Sequence, residues 1–319
     1  MTSELKLERQ LFQVALRIRM VELRISNDYK NWKMRCPVHL SVGQEGVSAA
    51  FALLQKKHDF VVSTHRAHAH YLAKGGDLNS MIAEIHGKIT GCSKGRGGSM
   101  HLIDKSVNFM GSSAIVGNSI PVGVGLGYHI KANNQDALSF VFLGDGAIEE
   151  GSFYESASFA VLKNLPVIFI CENNGYSVYS NLLSRQKSIN TIEDTARGIG
   201  LEYLKSDGNN AVEAFNLMKI LIERSKALNK PGFIELTTSR KLEHCGPDID
   251  HYLHYRTPNE LQELDDNDPL KILRNLITQQ GDLETDEWIT GLEKQIQTEI
   301  DQAFTLASQA RFPTLKEVT

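Results

Sequence analysis

Two short polar motifs have the residue types for a metal–phosphate site. Gly144-Asp145-Gly146 directly follows the run LSFVFL, and Asn173-Asn174 follows LPVIFIC after the single residue Glu172, with 26 residues between the motifs. Asp145 offers a hard anionic oxygen and Asn174 a neutral amide oxygen. With a nearby backbone carbonyl they would supply the protein's share of an octahedral magnesium whose other ligands are phosphate oxygens. Gly144 and Gly146 let a phosphate approach the main chain, and the amides of Gly146 and Ala147, near the start of a following helix, can donate to it. Either motif alone reads as an ordinary strand-ending turn. Their spacing and matched contexts favour one joint site for magnesium and a diphosphate.

Such a site requires both motifs at strand ends of one sheet. Phe60–Ser63, Leu138–Leu143, Leu165–Cys171 and Gly232–Thr238 read as short strands separated by helix-like segments. That alternation indicates an α/β fold with a central, mostly parallel sheet flanked by helices. A helix from about Glu149 to Lys163 would be the crossover between the two motif-bearing strands, and open α/β sheets bind ligands at the carboxyl ends of their strands.

Leu7, Leu11, Val14, Ile18 and Val21 recur at helical spacing and predict a long first helix with one apolar stripe. The Gly123–Gly127 run lacks the last glycine of a dinucleotide fingerprint and follows Pro121, so it reads as a helix kept narrow for close packing. Gly91–Met100, with four glycines and two cations, reads as a loop that either holds an anion or merely turns. Arg240–Pro258 is a long polar loop, and charged helices follow. The expected division is a diphosphate-binding unit at residues 1–258 and a helical extension at 259–319.

The chain has 319 residues and a net charge of −4, from 34 basic and 38 acidic side chains, which disfavours nucleic-acid or membrane-surface binding. Its longest apolar run, Leu165–Cys171, is seven residues, against roughly 20 for a membrane span. The start, MTSELKLERQLFQ, lacks the pattern of a secretory leader, and the four cysteines are scattered without Cys-x-x-Cys. These features suit a cytoplasmic protein with no nucleic-acid or membrane partner.

Further motifs then carry a resemblance. GQEG at 43–46, HRAH at 65–68, KGRGGSMH at 94–101 and AIVGNSIP at 114–121 join the two strand-end motifs in order. Together they resemble the α subunit of thiamine-diphosphate-dependent 2-oxo acid dehydrogenases, the first components for pyruvate, branched-chain acids and acetoin. The likeness runs from about residue 8 to about residue 310.

It implies that Asp145, Asn174 and the Tyr176 carbonyl bind Mg2+, and that Arg66 holds the diphosphate, a task suited to its planar fork. Main-chain groups near Ala114, Ile115 and Val116 would receive the aminopyrimidine ring. His65 stands where many relatives carry a tyrosine that touches the cofactor. His68 reads as an active-site polar group beside Arg66, or as a hydrogen-bonded structural histidine. His65, His68 and His70 lack a supporting carboxylate or cysteine set, so zinc is set aside for that trio. His244 stands at the family's active-loop histidine and is the leading general acid/base candidate. His251 and His254 read as solvated.

The resemblance also implies an enzyme that uses thiamine diphosphate and Mg2+ to decarboxylate a small 2-oxo acid and pass the acyl unit to lipoamide on a lipoyl acyltransferase. It implies a separate β subunit, which supplies the pyrimidine-binding half-site and its glutamate, in an α2β2 assembly. One loop departs from the pattern. Where pyruvate dehydrogenase α subunits read Tyr-Arg-x-His-Gly-His-Ser, Arg240 is here followed by KLEHCGPDID. Leu242 replaces the first histidine and Cys245 the regulatory serine, so phosphorylation is not expected there. The departures admit a carboligase that passes a two-carbon unit to an aldehyde, ketone or sugar. A non-catalytic cofactor-binding subunit is a third reading, which the intact Asp145, Asn174 and Arg66 set opposes.

Overall fold

A computed structural model describes residues 6–34, 36–279 and 285–318. Its main sheet holds β1 (Phe60–Ser63), β2 (Phe109–Ser112), β3 (Ser139–Gly144) and β4 (Val167–Asn173), to which β7 (Glu202–Asp207) and β8 (Gly232–Thr237) add. A two-stranded hairpin, β5 (Tyr176–Ser177) and β6 (Ser180–Asn181), stands apart. The order across the main sheet is β2-β1-β3-β4-β8-β7, and every pairing within it is parallel. The α/β expectation is met.

Ahead of β3 the helices are α1 (Leu7–Tyr29), α2 (Glu45–Leu54), α3 (His68–Ala73), α4 (Leu78–Ile85) and α5 (Ser119–Ala132). After it come α6 (Gly151–Leu162), α7 (Leu182–Arg185), α8 (Thr191–Ile199) and α9 (Ala211–Leu228). The last are α10 (Pro258–Asp266), α11 (Pro269–Gln279), α12 (Thr285–Gln309) and α13 (Leu315–Val318). No helix among the described residues is long and apolar enough to cross a membrane.

Strand alternation divides the core. Phe140 and Phe142 of β3, with Ile168 and Ile170 of β4, face a cluster built on α1, α2, α9, α11 and α12. Val141, Leu143, Val167 and Phe169 point the other way, onto α5, α6 and α8. Successive side chains of a strand point to opposite faces, so a central strand covered on both sides must be apolar throughout. That is why β3 and β4 show as unbroken apolar runs in the sequence.

The glycine run lies inside α5. A Cβ at Gly123 would stand 2.3 Å from Val141 Cγ2, and one at Gly127 2.4 Å from Val167 Cγ2. Helix and sheet approach too closely there for any side chain, which is the narrow packing expected of this stretch.

The glycine-rich loop at 91–100 turns its amides inward onto one carboxylate. Glu84, at the end of α4 and fully buried, accepts from Ser93 at 2.7 Å, Gly95 at 2.8 Å, Gly97 at 2.6 Å and Gly98 at 3.3 Å. The anion this loop holds is therefore the protein's own.

The helix after β3 starts later than expected. Asp145–Glu149 form a 3-10 turn, Glu150 is extended, and α6 begins at Gly151. The Gly146 and Ala147 amides thus belong to that turn rather than to the first turn of α6. The helical tail is not set apart in packing: Leu273, Ile289, Ile296 and Phe304 share the core cluster of α1 and α2.

Candidate active site

β3 and β4 are adjacent and parallel, with Gly144 opposite Glu172 in the register, so Asp145 and Asn174 leave neighbouring strand tips on the same edge. A cleft at that edge is lined by Asp145, Asn174, Tyr176, Arg66, His65 and His244, among others. Gly144, Gly146, Ala147, Ala114, Ile115 and Val116 also line it. The structure therefore brings together every expected site residue except His68.

Asp145 is buried, and its carboxylate pairs with the guanidinium of Arg185, which also holds Glu149. Burial pushes the Asp145 carboxyl upward, and Arg185 opposes that shift. Asn174 is oriented from both ends of its amide: Nδ2 donates to Gln44 Oε1 at 3.1 Å, and Oδ1 accepts the Tyr176 amide at 3.1 Å. Gln44 thus ties the GQEG motif to the second strand tip. Glu45, its neighbour, accepts from the Gly43 amide at 3.0 Å and pairs with Arg19, fixing the entry to α2.

Arg66 follows β1 and is buried at the base of the cleft. Its Nη1 donates to the Leu40 carbonyl at 2.6 Å and Nη2 to the His244 carbonyl at 3.4 Å. Burial, with Arg240 nearby, lowers its pKa to about 10 against the pull of Glu172 and Glu22, so it remains cationic at neutral pH. Those two bonds leave guanidinium N–H donors over for an anion.

The loop carrying His244 is pinned by a buried polar network. Arg240, 1% exposed, donates to the Leu242 carbonyl at 2.8 Å and to Tyr255 Oη at 3.0 Å, and Tyr255 bonds the buried Asp250. Arg256 Nη1 reaches Asp250 Oδ1 at 3.4 Å. Thr257 caps α10 in a capping box with Glu260, and Glu260 accepts from Tyr176 Oη. The cleft is thereby linked to the first helix of the tail.

His244 meets two further imidazoles. Its ring centroid lies 5.1 Å from that of His39 and 5.3 Å from that of His65, and His39 and His65 are 4.6 Å apart. Burial, then the Arg66 and Arg240 charges, lowers the His244 pKa to about 4. Burial, Arg66 and His244 take His65 to about 3. Burial, then His65, Arg66 and His244, hold His39 at about 2. All three are neutral imidazoles at pH 7.

His68 lies elsewhere. It is fully buried, with Nδ1 3.1 Å from Glu22 Oε1 and Nε2 2.8 Å from Ser99 Oγ. Both ring nitrogens are satisfied beneath the cleft, the geometry of the hydrogen-bonded structural histidine. His70 turns away as well, with Nδ1 2.7 Å from Ser63 Oγ and its ring stacked on Phe142.

Two lining residues, His39 and Gln44, and one partner of Asp145, Arg185, were not singled out from the sequence. His39 had one signal, its place four residues ahead of Gly43 in the GQEG motif. Gln44 lies within that motif without announcing a partner. Arg185 sits on a polar stretch after the hairpin and carries no local signal at all.

Carboxylate and amide oxygens on two adjacent strand tips, a buried arginine and a group of neutral imidazoles share one cleft at the carboxyl edge of a parallel sheet, the place where α/β enzymes bind ligands. The family model "Dehydrogenase E1 component" matches residues 14–316. The chain is 34% identical over 280 residues to the pyruvate dehydrogenase E1 component subunit alpha of Rickettsia typhi, covering 88% of this chain and 84% of that one. It is 33% identical over 302 residues to a mitochondrial pyruvate dehydrogenase E1 alpha subunit of Oryza sativa, covering 94% and 76%. It is 30% identical over 309 residues to the alpha subunit of an acetoin:2,6-dichlorophenolindophenol oxidoreductase of Bacillus subtilis, covering 97% and 91%. The chain belongs to the dehydrogenase E1 component family, the α-subunit type of the thiamine-diphosphate-dependent dehydrogenases.

Proposed function

We propose that this chain is the diphosphate-binding α subunit of a thiamine-diphosphate- and Mg2+-dependent enzyme that decarboxylates a small 2-oxo acid and passes the acyl unit to lipoamide. The observation that carries this reading is the convergence of Asp145, Asn174 and Arg66 on one cleft at adjacent strand tips.

The residues fit the group. Asp145 and Asn174 with the Tyr176 carbonyl form an all-oxygen donor set of the kind magnesium prefers. A Cβ at Gly144 would meet nothing within 4 Å, so the main chain there is open to a bulky anion. Arg66 supplies positive charge at the cleft base, and Ala114–Val116 supply a wall. When bound, thiamine diphosphate contributes a nucleophilic carbon and an electron sink for decarboxylation.

The chain's own groups position and titrate. Asp145 and Asn174 hold the metal, Arg66 neutralises diphosphate charge, and His244, a neutral imidazole pinned by Arg240, exchanges a proton with the reacting group. His68 acts as a positioning residue, bracing Ser99 and Glu22 below Arg66.

The site is open on one side. Ile115 is 66% exposed and Val116 49%, apolar surface that suits cover by a β subunit in an α2β2 assembly. A cytoplasmic location and the 258/259 division remain part of this reading.

Co-expression with a β partner, followed by thiamine diphosphate titration with and without Mg2+, tests it. Asp145→Ala is expected to abolish metal-dependent cofactor binding while the fold persists, because an ionic ligand is lost rather than core packing. Normal magnesium affinity and turnover in that variant would refute the assignment. Decarboxylation without lipoamide acylation would redirect the second half-reaction to carboligation.

A further inference from the structure

We propose that in the cofactor-free chain, where His244 has no reacting group to serve, His39, His65 and His244 form a second cation site, selective for a borderline divalent ion of the zinc, cobalt(II) or nickel(II) class rather than magnesium. The trio comes from three separate segments: the approach to α2, the turn after β1 and the Arg240–Pro258 loop. One ligand atom from each lies within 4.8 Å of the others. Imidazole nitrogen suits zinc, nickel and cobalt, whereas magnesium demands oxygen, so the ligand set separates this site from that of Asp145 and Asn174.

His39 supplies an independent sign. It is 7% exposed, yet its Nδ1 has no hydrogen-bond partner among the described residues. Buried polar atoms ordinarily have one. His65, on the turn after β1, completes the set.

Geometry allows closure. Tetrahedral zinc at about 2.0–2.1 Å from each nitrogen needs nitrogens about 3.3 Å apart, so the rings must draw in by roughly 1 Å. Side-chain rotation on three loop-borne residues accommodates that. All three residues line the cleft, which leaves room for water as the fourth ligand. Arg66 opposes a cation here, but its guanidinium is turned onto the Leu40 and His244 carbonyls, and Glu172 and Glu22 offset its charge.

The test uses the full-length chain without a histidine tag and without thiamine diphosphate, so that its outcome is independent of the cofactor assignment. Cobalt(II) titration is expected to give a one-equivalent visible spectrum of tetrahedral type that excess Mg2+ leaves unchanged. X-ray absorption of the zinc-loaded protein should show three imidazoles on the ion. His65→Tyr and His39→Gln should each remove the cobalt spectrum, while His254→Gln, on the exposed part of the loop, should keep it. Absence of a one-equivalent spectrum, its survival in His65→Tyr, or fewer than three imidazoles in the wild-type absorption data would overturn the proposal. The wild-type absorption measurement decides the matter even if a variant fails to fold.

Discussion

Arg185 and a divalent cation would compete for the same carboxylate. The guanidinium closes on Asp145 Oδ2 with side-chain exposures of 12% and 3%, a largely desolvated pair. Metal entry would break that pair and leave Arg185 on Glu149 and the Ser180 carbonyl. Arg185→Gln should therefore raise apparent Mg2+ affinity by about tenfold, close to 1.4 kcal/mol, in a magnesium titration of cofactor binding; unchanged or weaker affinity would show that Arg185 does not guard the site.

The imidazole trio also couples stability to pH. Its folded pKa values, about 2, 3 and 4, all lie below the ordinary 6.5. Below pH 6.5 the unfolded chain takes up protons that the folded chain refuses, so this contribution to stability is fully present above 6.5 and drains away as pH falls toward 4. Urea midpoints should drop between pH 7 and pH 5, with a shallower drop in a His39→Gln/His244→Gln variant. Equal slopes would mean that the rings titrate normally. Asp145 and Asn174 were legible because each lies just past a strand whose apolar run marks its end, and Arg66 through the resemblance that HRAH carries. His39 and Arg185 were not, since their roles exist only where loops distant in sequence meet.

At the scale of elements, legibility followed burial. β1, β4 and β8 were read to within about two residues at each end, because strands covered on both faces must be apolar. β2 and β7 were missed. They are the two edges of the sheet, and their sequences, FMGS and EYLKSD, mix polar and apolar residues because only part of each strand is covered. The loop at 91–100 was read as a loop, but its purpose depends on Glu84, which belongs to another element. Glu84→Gln keeps one acceptor oxygen and sets an amide N–H2 against backbone donors. The loss should be roughly 3 kcal/mol, since charge-assisted bonds at a buried carboxylate are strong and orphaned donors costly. Chemical denaturation would read that loss as a lower midpoint at constant slope. A shift below about 0.5 kcal/mol, the scale of an ordinary surface change, would show that the loop folds without its internal anion.

For the whole molecule, the sequence suggested a helical extension from residue 259, and its helices share the first helix's core and reach the cleft through Glu260. Composition marks residues 259–319 as charged because one face of each helix is solvated. It says nothing of where the other face docks. The same scale raises the question of partners. Tyr128 on α5 and Phe159 on α6 hold their rings 6.1 Å apart on the surface, and Leu162, one turn beyond Phe159, is 74% exposed. Adjoining apolar side chains left in water on neighbouring helices mark a contact surface, and the proposed assembly gives them something to meet. Leu162→Lys places a cation at a helix C-terminus, where the helix dipole favours it, so the chain's own stability should change by less than about 0.5 kcal/mol. Burying that ammonium against a partner would be unfavourable, and association should weaken by about tenfold or more. Sedimentation velocity of the co-expressed subunits separates the two effects: a normal melting curve with a smaller assembly is the expected result. Wild-type assembly in the variant would remove this face from the interface and leave the surround of Ile115 and Val116 as the contact.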